Sequence, residues 1–218
     1  MTKNKGLWVI WLLALLPLGL VAAVYSRLPA EIPMHWGFDG SVRYDPKSSI
    51  WLMVGLGPLF ALLLPLLPKI DPRRNSYDKF MGAYQGFIAV MMLFLLVMNL
   101  AVLSEGFYPG RLDISTLVTV CMGLLFVFIG NIMPKFKTNF FCGFKNPWTL
   151  SNTEVWNRTH RLGGYLFFFG GFLIVLLPFL LPEGVMAVVF FSLLMAISIF
   201  PSVMSFVWYR RIEGAKPK

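Results

Sequence analysis

The stretch that decides the fold is Phe80–Leu103, which reads FMGAYQGFIAVMMLFLLVMNLAVL and contains no charged residue and no histidine. An α-helix rises 1.5 Å per residue, so about 20 apolar residues cross the roughly 30 Å hydrocarbon core of a bilayer. The sequence therefore predicts that this stretch is a transmembrane helix.

Five more runs share this length and this lack of charge: Leu7–Tyr25, Ile50–Leu67, Ile114–Met133, Leu162–Leu181 and Val185–Val207. The whole chain is 57% hydrophobic and 13% charged, against about 45–50% and 25% in soluble domains. We therefore predict an all-α membrane fold, a bundle of six transmembrane helices that forms a single polytopic domain over residues 1–218.

Pro58 and Pro65 predict a break near the end of the second helix. The first run is longer than the apolar core of a signal peptide, so we expect it to be retained.

The basic residues predict the orientation of these helices. Of the 19 Lys and Arg residues, only Arg27, Arg43, Lys47 and Arg111 fall on one side of the predicted bundle. Loops rich in Lys and Arg stay in the cytoplasm. We expect a multi-pass protein of the cell membrane with both termini in the cytoplasm, and the net charge of +9 reflects this topology rather than binding to nucleic acid.

The loop Ser26–Ser49 is predicted to lie outside the cell and to fold as a small β-hairpin. Asp39-Gly40 favours a two-residue turn, because both central positions of such a turn need positive φ. The candidate ligand-binding residues are His35, Trp36, Asp39, Arg43 and Tyr44. Two alternatives stay open: a plain connector with Trp36 and Tyr44 among the lipid headgroups, and a metal site that would use His35, Asp39 and Asp45.

The loop Pro134–Gly164 is predicted to lie inside the cell. Ser151 and Glu154 have capping-box spacing, so a helix should start near Asn152 and continue into the fifth span. Aromatic residues among lysines favour the membrane interface, and a docking surface for a cytosolic partner is the alternative. The candidate partner-binding residues are Lys145, Pro147, Trp148, Asn152, Glu154, Trp156, Arg158, His160 and Arg161.

Catalysis is not indicated by any motif. The two histidines, His35 and His160, are predicted to lie on opposite sides of about 30 Å of hydrocarbon, so they cannot share a reaction centre. The sequence lacks the metalloprotease and nucleophile-elbow patterns. We expect no enzyme activity, no cofactor, no bound metal and, with Cys121 in an apolar run and Cys142 inside, no disulfide.

Two long segments resemble a known family. Pro147-Trp148-Thr149-Leu150-Ser151-Asn152, followed by Val155-Trp156 and Thr159-His160-Arg161, resembles the signature of the SdpI family of bacterial membrane proteins. Leu28-Pro29, Ile32-Pro33 and His35-Trp36 resemble the domain of unknown function at the N-terminus of that family. The resemblance covers residues 7–68 and 112–211. It departs at Lys145-Asn146, where the family usually has Arg-Thr, and Lys lacks the planar fork of Arg.

The resemblance implies immunity to a secreted killing peptide met outside the cell, and signalling in which a winged-helix repressor is held at the membrane inside the cell when the toxin is present. A different hypothesis is a facilitator or exporter of a small solute or peptide. The spans lack the ionisable residues that coupled transport usually needs, and their polar residues are typical of contacts between helices. The expected partners are therefore the bilayer, a peptide toxin and a repressor, without direct nucleic-acid binding by this chain.

Overall fold

The computed structural model describes residues 5–37 and 41–214, and within them six helices are long and apolar enough to cross a membrane. The predicted six-helix membrane architecture is confirmed. The helices are α1 Lys5–Val24, α2 Ile50–Leu63, α3 Leu67–Ile70, α4 Met81–Phe107, α5 Ile114–Ile132, α6 Pro147–Ser151, α7 Thr153–Leu180 and α8 Glu183–Gly214. Short 3-10 turns occupy Tyr25–Arg27, Lys47–Ser49, Leu64–Leu66, Arg74–Lys79 and Met133–Lys135.

The second span is broken near its end at the 3-10 turn that contains Pro65, whereas Pro58 lies inside the unbroken helix α2. Helix α2 gives way to a 3-10 turn and then to the one-turn helix α3. Pro68 has no N–H with which to bond the Leu64 carbonyl four residues earlier. That oxygen instead accepts the Leu67 N–H and, at 2.6 Å, the hydroxyl of Tyr84 in α4. A side chain from a neighbouring helix thus satisfies the carbonyl that proline frees.

Helices α5 and α7 approach closely at two pairs of glycines. Gly123 faces Gly171, and a Cβ added to Gly123 would lie 2.8 Å from the Gly171 carbonyl oxygen. Gly130 faces Gly164 in the same way, with 2.9 Å between a Cβ on Gly164 and the Gly130 oxygen. Each pair is one heptad from the next, so both lie along one seam of two antiparallel helices. Small residues at such a seam let backbones approach, and packing of this kind drives helix association in lipid.

The predicted hairpin is present at the end of the bundle where α1 ends and α2 begins. Strands β1 Glu31–Trp36 and β2 Val42–Pro46 pair antiparallel, with an irregularity between Pro33 and His35. The expected turn at Asp39-Gly40 lies outside the described residues, and the last described hydrogen bond before it joins Gly37 N–H to the Ser41 oxygen. Ile32 is fully buried and packs with Leu28 where Gly106 of α4 leaves room, which seats the hairpin on the bundle.

Candidate functional site

The segment Phe136–Ser151, here called the basic loop, is held by one buried amide. Asn139 is 0% exposed, and its Oδ1 accepts the N–H groups of Phe141 and Cys142 at 2.9 and 2.6 Å. Its Nδ2 donates to the Lys137 oxygen at 2.8 Å. An Asn side chain that bonds nearby backbone stabilises a turn, so this loop has a defined path over the helix ends.

Asp71, which follows α3, ties the basic loop to the first half of the bundle. Its buried carboxylate accepts the Arg73 N–H at 2.7 Å, the Phe140 N–H at 2.9 Å and the Tyr77 hydroxyl at 3.0 Å. The Tyr77 hydroxyl also lies 3.2 Å from Asn139 Oδ1. Burial, together with the nearby Asp71 carboxylate, raises the pKa of Tyr77 well above its usual range, so its hydroxyl stays a donor. Hydrogen bonds to a charged acceptor are among the stronger ones in proteins.

His160 and Trp156 form the buried floor of the basic loop. Both are 0% exposed, and their rings stack at 4.0 Å with an angle of 19°. The Trp156 indole N–H donates to the Phe136 oxygen at 2.9 Å. His160 Nδ1 lies 2.8 Å from the Trp156 oxygen, and His160 Nε2 lies 3.1 Å from the Phe144 N–H nitrogen. Only a neutral imidazole with its proton on Nδ1 can donate to the first and accept from the second.

This burial corrects part of the predicted partner surface. Trp156 and His160 were expected among the partner-binding residues, but neither reaches the surface. An aromatic and a histidine at i and i+4 share one face of a helix, and in α7 that face points to the core. Their role in this fold is to fix the loop.

The start of α7 corrects the predicted cap. Asn152, not Ser151, is the N-cap: its side chain accepts the N–H groups of Glu154 and Val155 at 2.9 and 3.2 Å. The Ser151 hydroxyl instead donates to the Trp148 oxygen at 3.3 Å, since Ser151 is the last residue of α6. The helix itself begins at Thr153 and continues without a break into the fifth span, as expected.

A capping box that the sequence reasoning missed begins α6. Asn146 accepts the Thr149 N–H and Thr149 Oγ1 accepts the Asn146 N–H, both at 3.0 Å. The signal was Asn146-Pro147, a good N-cap followed by proline at the first helical position. Asn146 Nδ2 also donates to Ser205 Oγ in α8 at 2.9 Å. Asn146, which donates this second bond, stands where the family that the sequence resembles usually has the Thr of an Arg-Thr pair.

The rest of the predicted partner-binding set lies on or near the surface. Trp148 is half-buried against Phe206 of α8, with ring centroids 5.1 Å apart, and Asn152 is half-buried as the N-cap. Arg158 and Glu154 form an exposed ion pair at 2.6 Å across one helical turn. The exposed members of the set are Lys145, Pro147, Glu154, Arg158 and Arg161. Three of these five residues are basic, and all five lie in the basic loop or in the first turns of α7.

In the hairpin, the polar side chains of His35, Arg43 and Asp45 lie close together. His35 and Arg43 are opposite each other in the two strands, with Arg43 Nη2 2.9 Å from His35 Nδ1. Asp45 lies 3.1 Å from His35 Nδ1 and 3.4 Å from Arg43 Nε. Tyr44 is exposed nearby, whereas Trp36 packs partly buried against the cluster around Leu28. Asp39 lies outside the described residues.

Two residues that were not predicted as site residues hold connecting segments at this end of the bundle: Lys47 beside the hairpin, and Glu105 between α4 and α5. Lys47 Nζ donates to the Leu28 and Tyr25 oxygens at 3.1 and 3.3 Å. The buried Glu105 carboxylate accepts the N–H groups of Gly110 and Leu112 at 2.7 and 2.8 Å. Among residues 5–37 and 41–214, no three His, Cys, Asp or Glu side chains gather as they would around a metal ion.

Comparison with known proteins adds an independent line of evidence. The model of the SdpI/YfhL protein family matches residues 135–205, and the model of a domain of unknown function, DUF1648, matches residues 12–57. The chain is 23% identical to the immunity protein SdpI of Bacillus subtilis (strain 168) over 194 residues, which cover 88% of this chain and 90% of that relative. No solved structure is significantly similar to it.

Each matched region contains one of the two polar segments described above, together with neighbouring spans. The DUF1648 region contains the hairpin with His35 and Arg43, and the SdpI/YfhL region contains the whole basic loop, with α6 and α7. The protein is thus a multi-pass membrane protein that is similar to the SdpI family over residues 135–205 and to one immunity protein over most of its length.

Proposed function

We propose that the protein is a membrane immunity protein that protects the cell that carries it against a secreted antimicrobial peptide. The observation that carries this proposal is the similarity to an immunity protein along 88% of the chain. A match of that extent includes the spans, the hairpin and the basic loop rather than one shared motif.

The hairpin is the proposed place of peptide recognition. Its base is held by the buried Ile32 and by Lys47, whereas His35, Arg43 and Tyr44 stay exposed. An exposed polar surface on a rigid support suits binding, because little conformational entropy is lost when the ligand arrives. The distribution of Lys and Arg supports an outward-facing hairpin and cytoplasmic termini.

The basic loop is the proposed place of signalling. A winged-helix repressor held at the membrane would meet the exposed Lys145, Arg158 and Arg161 first, since Trp156 and His160 are buried. Peptide binding outside would then shift a packing equilibrium of the bundle that the basic loop reports inside. This proposal does not require chemistry at either end, in keeping with a non-enzymatic role.

A facilitator or exporter is the competing function, and one observation favours it. Asn99 is buried within α4, and its Oδ1 has no partner among the described residues, although its Nδ2 donates to the Leu95 oxygen at 2.7 Å. A buried polar atom without a partner is costly and often marks a functional position. Uptake of the labelled killing peptide into proteoliposomes would distinguish transport from recognition.

The test of immunity is survival. Bacteria sensitive to the killing peptide that gives the family its name are transformed with this chain or with an empty vector and exposed to that peptide. Protection is expected only with the chain. A second arm exchanges Ser26–Ser49 for the loop of a relative, and unchanged protection and specificity would rule out recognition at the hairpin. Absent protection at normal membrane abundance contradicts immunity against this peptide.

The signalling proposal needs a separate measurement. Membranes with the wild-type chain or with the Arg158→Glu, Arg161→Glu double variant are mixed with the repressor in the presence of the killing peptide and sedimented. We expect repressor in the wild-type pellet and its loss from the variant pellet, with survival unchanged. Equal retention by both would show that this surface does not hold the repressor.

A further inference from the structure

A cavity of about 550 Å³ lies between the first turn of α1, the short helix α3 and the first turns of α4. Its floor is apolar and includes Leu7, Ile10, Met81 and Ile88. Ile10 and Ile88 are 1% exposed, so the floor belongs to the packed bundle. This cavity is separate from the hairpin and from the exposed surface of the basic loop.

The rim of the cavity is polar and carries more positive than negative charge. Lys69 and Arg74 are its basic residues, Asp78 is its acidic residue, and Asn75 and Gln85 add neutral groups. Lys69, Arg74 and Asp78 are exposed, and none of them forms an ion pair within the described part of the chain. The two basic side chains are therefore available to a ligand.

The tyrosines in the cavity wall are already engaged. The Tyr77 hydroxyl donates to Asp71, and the Tyr84 hydroxyl donates to the Leu64 oxygen. These bonds hold the wall in place and leave Lys69 and Arg74 as the groups that face an anion. A metal ion is a poor fit for this rim, because Asp78 is its one carboxylate.

We propose that this cavity binds an anionic phospholipid, with the headgroup phosphate at Lys69 and Arg74 and an acyl chain along the apolar floor. Helices α1 and α4 both begin at this end, so the rim lies at the level of the headgroups and the floor at the level of the chains. Basic pockets between transmembrane helices suit anionic headgroups. A free phosphate ester would satisfy the rim and leave the floor uncovered, which is why the lipid is favoured.

The test uses purified, delipidated full-length protein in detergent and native mass spectrometry of bound lipid. The probes are dioleoylphosphatidylglycerol, dioleoylphosphatidylcholine and glycerol phosphate. The wild-type chain is expected to bind dioleoylphosphatidylglycerol, which is anionic, more tightly than dioleoylphosphatidylcholine. Because each basic residue near an anionic group contributes about five-fold in affinity, the Lys69→Gln, Arg74→Gln variant should bind the anionic lipid roughly ten-fold or more weakly.

The matched control is Lys135→Gln, Lys137→Gln, which removes the same charge at the same end, outside the cavity. It should bind like the wild type, and Asp78→Asn should bind more tightly. Unchanged binding by the cavity variant, or an equal loss in the control, overturns the proposal. Equal affinity for glycerol phosphate and the lipid overturns the lipid assignment. If the cavity variant does not fold, Asp78→Asn decides, and absence of a gain counts against the site.

Discussion

The imidazole of His160 lies directly against Gly143, in the space that a side chain at that position would need. Gly143 also has φ of +91°, which non-glycine residues rarely adopt. The same ring nitrogen, Nε2, accepts the N–H of the next residue, Phe144. The His160 ring therefore holds the backbone of the basic loop at Gly143 and Phe144, and its bonds to the Phe144 N–H and the Trp156 oxygen fix its tautomer.

Gly143→Ala is expected to destabilise the protein more than the same substitution at Gly110, since it adds both backbone strain and overlap with His160. The controls separate the two effects. Gly110 has φ of +76° but open space around it, and Gly184 lies in a helix with open space. The left-handed conformation alone costs about 1–2 kcal/mol for a residue with a side chain. Thermal unfolding in detergent should rank the losses as Gly143→Ala, then Gly110→Ala, with Gly184→Ala near zero. Equal losses at positions 143 and 110 would show that the His160 contact is unimportant.

Asp71→Ala is expected to lower the free energy of unfolding by about 2–4 kcal/mol, because it leaves the Phe140 and Arg73 N–H groups and the Tyr77 hydroxyl without their acceptor. Glu154→Ala removes an exposed ion pair instead and should cost less than about 0.5 kcal/mol. Thermal unfolding of the two variants under one condition makes the comparison. Similar effects would mean that the Asp71 network is not structural.

Gly171→Val should prevent the normal approach of α5 and α7, because even a Cβ at Gly171 would lie 2.6 Å from the Val127 nitrogen. A helix cannot move aside without opening the whole seam. We expect loss of the monodisperse peak in size-exclusion chromatography. Gly19→Val is the control, since nothing lies within 4 Å of a Cβ there. A monodisperse Gly171→Val protein with wild-type thermal stability would contradict the glycine seam.

Cys142 should react slowly with maleimide, because burial raises the pKa of its thiol to about 11 from its usual value of 9.0. At pH 7.4 the reactive thiolate is then about a hundred-fold scarcer than in an ordinary thiol, since each pH unit is a factor of ten. The rate should still rise as pH approaches 11. A Cys121→Ala background isolates this thiol, and Asn139→Ala should speed its labelling because the Cys142 N–H loses its acceptor. Labelling as fast as that of an unfolded chain would show an accessible thiol.

His35→Ala with Arg43→Ala should weaken binding of the killing peptide by at least ten-fold, about 1.4 kcal/mol, if the hairpin recognises it, and should reduce survival in its presence. Glu31→Gln, an exposed change in the same strand, should leave survival unaltered. Membrane abundance is measured in parallel so that loss of protein is not taken for loss of recognition. Full protection by the double variant would move recognition away from this surface.

The sequence alone predicted the spans, the hairpin and the unbroken helix from Thr153 into the membrane. Each of these depends on local physics: a charge-free run of sufficient length must be helical in lipid, where water cannot satisfy its backbone. The Ser151 cap was wrong because two N-cap residues, Ser151 and Asn152, stand side by side, and spacing cannot tell which side chain reaches the helix.

What only the tertiary structure decided is which polar residues are surface and which are scaffold. Trp156 and His160 carry the same kinds of groups as a binding site, yet both are buried. Asp71 meets the Phe140 N–H across 69 positions of sequence, a partnership that no local pattern encodes. Hydrocarbon selects the spans residue by residue, whereas a hydrogen bond between distant segments exists only once the helices have packed and brought its donor and acceptor together.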